Sequence, residues 1–460
     1  MTSLTAFKAY DVRATYPDML NEQTAWKVGF AAAQFLGHSQ SKENLKRPDT
    51  LVVGRDMRTS SPALAKSLSD GIRAAGLNVI DVGMIDTSMI YFAINHLGAL
   101  GGIQTTASHN PAQYNGFKIS GPLAKPIGSA TGLDSIKQIA LGLSGSQTPP
   151  RGSFEEQDLW APYRAHVLKF LSLKRPIRVV VDASNGMAGK MVPAIFSNLP
   201  NLTIVRLLFE ITGAFVHDPN PLVESNMDML KARIIKEKPD FGVCFDGDAD
   251  RCFFMDETGR AVGSDLITAV IARDFLHQKG NQGSPIVYDL RSSKAVPEEV
   301  KSAGGVPRRD RVGHAFLKKT MAEANAVFGG ELSGHFYFRD NFFADSGAIA
   351  FARVLSIASA QSQPLSKMMQ PLRRYSQSGE INFRVPDKDA AIKQLAAAYP
   401  RATIDYLDGI TIDNGDWWFN VRMSNTEPLL RLNLEAKTQE QMEEKLAELK
   451  KMLGEPVHGH

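Results

Sequence analysis

Ser108 stands beside His109 in the stretch "TTASHNPAQYNGFK", residues 105–118, which ends on Lys118. A hydroxyl, an imidazole and an ammonium so close along the chain are raw material for nucleophilic or phosphoryl-transfer chemistry. A loop serine alone is more often solvated or capping, so its weight depends on what else the chain offers. The stretch "GVCFDGDADRCFFMD", residues 242–256, places Asp246, Asp248 and Asp250 at alternate positions directly after an apolar run. Alternate carboxylates in an extended or turning loop converge on one hard cation, Mg²⁺ or Ca²⁺. With Glu257 they also match ligand positions of an EF-hand loop. That reading fails because Arg251 stands where the loop needs glycine, and both flanks are strand-like rather than helical. The plain alternative is an acidic turn between two strands. Arg251 weighs against it, since a guanidinium beside three carboxylates makes sense when a phosphoryl group shares the site. A phosphorylated Ser108 would then complete the ligand set of a metal held by the three aspartates. His109 reads as a phosphate or substrate contact rather than a triad base. Pro111 and an expected Asn115-Gly116 turn would bring Lys118 back to the same pocket. Otherwise Lys118 is an exposed strand lysine.

Two further stretches carry polar groups in useful combinations. In "GGELSGHF", from Gly329, the Glu331 carboxylate and Ser333 hydroxyl suit vicinal sugar hydroxyls. The alternative there is a glycine-rich turn between strands. "RMSNTE", from Arg422, offers a guanidinium, three short polar side chains and backbone N–H groups, a phosphate cradle. An N-cap is excluded because the following "LLRLNLEA" reads as a strand.

The elements that must position these residues repeat a rhythm of β-branched run, polar loop and helical pattern. The first unit has Leu51 to Val53 as a buried strand and Ser61 as N-cap with Pro62 following. Its helix has Leu64, Leu68 and Ile72 on one face and is stopped by Gly76. The second strand is Ile177 to Val181 and the third is Ile286 to Tyr288. Such alternation implies parallel α/β sheets. The spacing predicts three related α/β domains near 1–150, 151–257 and 258–370. The remainder, 371–460, reads as strands joined by turns such as Asp413-Asn414-Gly415. A helix follows that opens on a Thr438–Gln441 capping box, buries Met442, Leu446, Leu449 and Leu453, and ends at Gly454. This is a small α+β domain.

The bulk properties agree. A chain of 460 residues exceeds one hydrophobic core, and 43% hydrophobic with 22% charged residues is ordinary for a globular protein. A net charge of +3 leaves no broad basic surface for nucleic acid. Two cysteines, Cys244 and Cys252, do not make a disulfide framework and point to a reducing compartment. The N-terminal segment lacks an apolar signal region, and the longest apolar run, "VGFAAAQFLG", is too short to span a bilayer. The expectation is a cytoplasmic protein that engages neither membrane nor nucleic acid.

Together "TTASHNPAQYNGFK", "DGDADR", "GGELSGH" and "RMSNTEP" resemble the α-D-phosphohexomutase family, in particular its bacterial phosphomannomutase/phosphoglucomutase branch. The four motifs run in the same order, one per inferred domain. The resemblance implies an arrangement of four domains around a central cleft and a monomer. It implies that Ser108 carries the transferable phosphoryl group and that Asp246, Asp248 and Asp250, with Ser108, hold Mg²⁺ beside Arg251. Sugar hydroxyls would meet Glu331, Ser333 and His335. The non-reacting phosphate would meet Arg422, Ser424, Asn425 and Thr426, with Arg431 nearby. Tyr10 and Arg13 match the family's opening motif, and His314 a position near its active site. The implied reaction moves a phosphoryl group between C1 and C6 of glucose and mannose phosphates through a hexose 1,6-bisphosphate. Lys118 and His314 are the alternatives for general base. A phosphoglucosamine mutase, a phosphosugar phosphatase and a sugar-phosphate-binding protein are the competing readings. The chain departs from the family at Ala14, usually glycine, and at Arg291, often lysine, which bears on substrate if that residue touches it.

Overall fold

The computed structural model describes residues 4–38, 45–143, 148–424 and 429–457. The chain divides into two compact units, one of residues 1–262 with 333–366, the other of 263–332 with 367–460.

The first unit holds two sheets. In the first sheet, strands Arg47–Arg55, Asn78–Met84 and Ala99–Thr105 lie parallel, with Phe154–Glu156 along the outer edge of Asn78–Met84. Tyr114–Ser120 runs antiparallel beside Ala99–Thr105, and Val12–Thr15 beside it in turn. Leu51, Val53, Leu64, Leu68, Ile72, Ile103 and Phe117 are fully buried in one core, as the periodicity requires. Burying each such side chain is worth about 1.5–3 kcal/mol. The helix starts at Ser61 rather than after it. Ser61 is not the cap, because its hydroxyl is spent on Asp56. Asn115 and Gly116 also differ from expectation. They sit inside the strand Tyr114–Ser120, with Gly116 opposite Arg13. The glycine serves close approach: a Cβ there would stand 2.1 Å from the Val12 carbonyl oxygen.

In the second sheet, Leu202–Leu207, Ile177–Asp182 and Phe241–Phe245 are parallel, and Cys252–Asp256 returns antiparallel to Phe241–Phe245. The acidic stretch is thus the tight connection between two fully buried strands. Strands Phe336–Phe338 and Ala344–Asp345 form a short antiparallel pair in the same unit.

In the second unit, Pro285–Asp289 lies between Val306–Asp310 and Phe328–Gly330, all parallel. The C-terminal sheet is antiparallel, ordered Thr403–Asp405, Ile410–Asp413, Trp417–Met423, Leu430–Ala436, Ser376–Phe383 and Pro456–Val457. Its helix Gln439–Leu453 opens on Thr438, whose hydroxyl accepts from the Gln441 N–H, and closes at Gly454. Met442, Leu449 and Leu453 are buried and Leu446 partly so.

Candidate active site

In the first unit, two strand ends meet. Ala99–Thr105 leads into Ser108, which is 1% exposed and held at φ +52°. Phe241–Phe245 leads into Asp246. The Ser108 hydroxyl donates to Asp246 Oδ2 at 3.1 Å and lies 3.3 Å from His109 Nδ1. A Cβ at Gly247 would sit 2.4 Å from the Ser108 carbonyl oxygen, so the second position of the acidic loop must be glycine for the two loops to touch.

The three aspartates converge. One oxygen from each lies within 4.8 Å of the others, and all three side chains are buried. Asp248 Oδ1 and Asp250 Oδ1 have no hydrogen-bond partner among the described residues. Burial, then Asp250 and Asp248, push the Asp246 carboxyl well above the usual range. Unpartnered hard oxygens and a carboxyl whose charge is disfavoured among its like-charged neighbours both fit a cation of the Mg²⁺ type.

Cations surround the cluster. Lys118 Nζ donates to Asp248 at 2.7 Å and Asp250 at 2.6 Å. Burial works against its charge, but the two carboxylates outweigh it and hold Lys118 protonated. Thr87 also donates to Asp248 Oδ2, at 2.6 Å, so the helix Thr87–Leu97 braces this ligand. Burial opposes ionisation of Asp248, yet Lys118, Thr87 and Arg251 keep it ionised. Arg251 Nε stands 3.7 Å from Asp246 and donates to His335 Nε2 at 2.9 Å. His335 Nε2 must therefore accept, which puts the proton on Nδ1, 2.9 Å from Asp345 Oδ2. Asp345, His335 and Arg251 form a chain that aims the guanidinium. Arg13 bonds Asn110 Oδ1 at 2.6 Å and Asp11. Burial, with Arg251 and Arg13 nearby, drops the His109 imidazole well below its ordinary value, leaving it neutral.

Arg58 is a participant that sequence reading passed over. Fully buried, it donates to the carbonyls of Ser108 at 2.9 Å, Asn110 at 2.7 Å, Pro111 at 2.7 Å and Tyr114 at 3.1 Å. Asp56 pairs with it at 3.1 Å. Its only signal was a charged loop, "GRDMRTSS", after a parallel strand. Tyr10 lies beside Gly128, and Ser333 is half-buried.

The second unit gathers a different set. Arg291, 7% exposed, is chelated by Asp289 at 2.8 and 3.2 Å. Glu331, also buried, accepts from the Gly313 N–H at 3.0 Å, and His314 opens the next helix. Arg422 and Arg431 face each other across two antiparallel strands. Ser424 N–H bonds the Leu429 carbonyl, while Asn425 and Thr426 lie outside the described residues.

Family models for phosphoglucomutase/phosphomannomutase match the chain in sequence: alpha/beta/alpha domain I over 4–143, domain II over 161–259, domain III over 263–375 and the C-terminal domain over 380–452. A protein of Xanthomonas campestris pv. campestris named "Phosphohexose mutases" is 40% identical over 95% of this chain and 96% of its own length. The phosphomannomutase of Escherichia coli K12 is 37% identical over 95% and 96%. A crystal structure of a phosphoglucomutase/phosphomannomutase family protein from Burkholderia thailandensis superposes with TM-score 0.89 at 29% identity, over 98% of both chains. With a buried serine, an acidic loop and flanking cations already assembled in one unit, the chain belongs to the phosphoglucomutase/phosphomannomutase family of α-D-phosphohexomutases, enzymes that isomerise hexose phosphates.

Proposed function

We propose that this enzyme interconverts the 1- and 6-phosphates of glucose and mannose by passing a phosphoryl group through Ser108. The observation that carries the reading is the Ser108 hydroxyl 3.1 Å from Asp246, inside a cluster of three buried carboxylates flanked by Lys118 and Arg251. Asp246, Asp248 and Asp250 would hold Mg²⁺, which when bound supplies Lewis-acid charge for a phosphoryl group.

In the first half-reaction the P–O bond to Ser108 breaks and a P–O bond forms to a sugar hydroxyl. The hydroxyl proton passes to a base, and the product is a hexose 1,6-bisphosphate. After the bisphosphate turns, its other phosphoryl returns to Ser108, releasing the isomeric monophosphate. Transfer of this kind is catalysed mainly by positioning and charge. Arg251, aimed by His335 and Asp345, and Lys118 provide that charge, while Arg58 fixes the loop backbone. Lys118 in its paired, protonated form is a charge donor with no lone pair for a proton. His314 is the remaining candidate of the two for general base. Arg422, Arg431 and Ser424 would grip the non-reacting phosphate, and Glu331 the sugar hydroxyls. A phosphatase would have little use for such a second cradle. Cys244 and Cys252 are buried free thiols, in keeping with a reducing, cytoplasmic setting.

Intact-mass and peptide analysis after incubation with glucose 1,6-bisphosphate and Mg²⁺ tests the reading. One phosphoryl group on Ser108 that is lost on adding glucose 1-phosphate is expected. No phosphorylation of Ser108 would overturn it.

A further inference from the structure

Glu380 stands at the centre of the arginine cluster in the second unit. Its Oε2 is 2.6 Å from Arg422 Nη2 and 3.5 Å from Arg291 Nη1, and its Oε1 is 3.2 Å from Arg431 Nη1. The backbone is shaped to deliver it there. The strand Ser376–Phe383 shifts register against Leu430–Ala436 between Gln377 and Glu380, with Gly379 at φ +69° in the bulge. Bulges of this kind re-aim the next side chain.

Arg422 and Arg431 are direct cross-strand partners, and like charges in that position repel. Arg291 adds a third guanidinium. Arg422 is 2% exposed, and its Nε is buried without a hydrogen-bond partner among the described residues. The cluster therefore needs an anion and has donor capacity that one carboxylate does not use. Glu380 itself remains partly open, its side chain 27% exposed. Burial disfavours its charge, but Arg291, Arg422 and Arg431 prevail and hold it ionised.

We infer that Glu380 is an exchangeable internal counter-anion, occupying the phosphate cradle when substrate is absent and giving way to the substrate's non-reacting phosphate. This rests on the reading of Arg422 and Arg431 as that cradle. A carboxylate and a phosphate dianion cannot share the three guanidiniums without mutual repulsion, so one replaces the other. The exchange matches the needs of a mutase. A bisphosphate must leave the cradle midway and turn, and a carboxylate that refills the cradle offsets the positive charge that the departing phosphate leaves behind. Glu380 is thus a positioning residue that weakens ground-state binding in return for release.

The test is calorimetric binding of glucose 6-phosphate to full-length protein carrying Ser108→Ala, which prevents turnover. If the carboxylate fills the cradle roughly nine-tenths of the time, removing it tightens apparent binding about tenfold. Glu380→Gln and Glu380→Ala should both tighten binding, while Glu380→Asp, which keeps the charge, stays near the parent. In protein with Ser108 intact, Glu380→Gln should lower KM and kcat together, a split that a merely structural role would not produce. Unchanged or weaker binding in Glu380→Gln would overturn the exchange and leave Glu380 as a scaffold for the arginines. Unchanged binding in Arg422→Gln would instead overturn the cradle itself, a separate failure.

Discussion

Asp86 is placed where its charge costs the fold, and replacing it by asparagine should stabilise the enzyme above neutral pH. It caps the helix Thr87–Leu97, accepting from the Met89 N–H at 3.2 Å and the Tyr163 hydroxyl at 3.0 Å through Oδ2. Its Oδ1 is buried with no hydrogen-bond partner among the described residues. Burial raises its pKa from 3.8 to about 7, against the pull of Tyr163 and Met89. The folded state therefore binds this proton more tightly than the unfolded chain. Below the unfolded value both states are protonated and nothing is lost. Between about pH 4 and pH 7 stability falls, and above the folded value the loss is constant. Roughly three pKa steps at about 1.4 kcal/mol each give a loss on the order of 4 kcal/mol. An asparagine in this place would resemble the protonated acid, keep the cap and still accept from Tyr163. Its amide nitrogen would inherit the unpartnered position of Oδ1, costing about 1–2 kcal/mol. Asp86→Asn should thus gain about 2–3 kcal/mol at pH 8 and lose about 1–2 kcal/mol near pH 4, where only the unpartnered amide counts. Urea unfolding followed by tryptophan fluorescence across this range would measure it, Trp160 lying next to Tyr163 at 6.2 Å between rings. A difference between the two proteins that does not change with pH would refute the assignment of a buried, proton-holding carboxyl.

Two more predictions bear on the site. Mg²⁺ at a hundred times its dissociation constant should stabilise the enzyme by about 2.7 kcal/mol, visible as a raised melting temperature. Because burial and the neighbouring carboxylates push the Asp246 carboxyl up, a cation competes with its proton, so the metal should bind more tightly as pH rises, and Asp248→Asn should abolish the thermal shift. A melting curve indifferent to Mg²⁺ in the parent protein would remove the metal assignment. Arg58→Met leaves the paired Asp56 and four loop carbonyls without their donor. A loss of about 3–5 kcal/mol is expected on unfolding in urea. Phosphorylation of Ser108 by glucose 1,6-bisphosphate, timed by intact mass, should slow more than tenfold. Folded Arg58→Met that is phosphorylated at the parent rate would count against Arg58 as the organiser of the loop.

Much of the site was readable because its chemistry is local in sequence. Asp246, Asp248 and Asp250 alternate within a few residues of one strand end, so their convergence needed only a tight loop. Ser108 became informative through the acidic stretch, and the two do meet. The Asn115-Gly116 pair misled because that dipeptide marks a turn wherever strands reverse, whereas here the glycine lets Val12–Thr15 approach an adjacent strand. Ser61 misled in the same way: Asp56 competes for its hydroxyl, and nothing in the helix pattern reveals that competitor.

The alternation of strands and helices, the buried faces of Leu64–Ile72 and Met442–Leu453, and the serine-bearing and acidic stretches are legible in the chain before it folds. Periodicity and adjacent polar groups are properties of the chain before it folds. Folding, and no local pattern, brings Arg58 to the serine loop, Asp345 to Arg251 through His335, and Glu380 among three arginines. Arg58 lies 50 residues from Ser108, and His335 lies 84 from Arg251. Each side chain alone reads as an ordinary charged or polar residue. Its role comes from burial, which makes an unpaired charge costly and so couples it to a partner that no local pattern names.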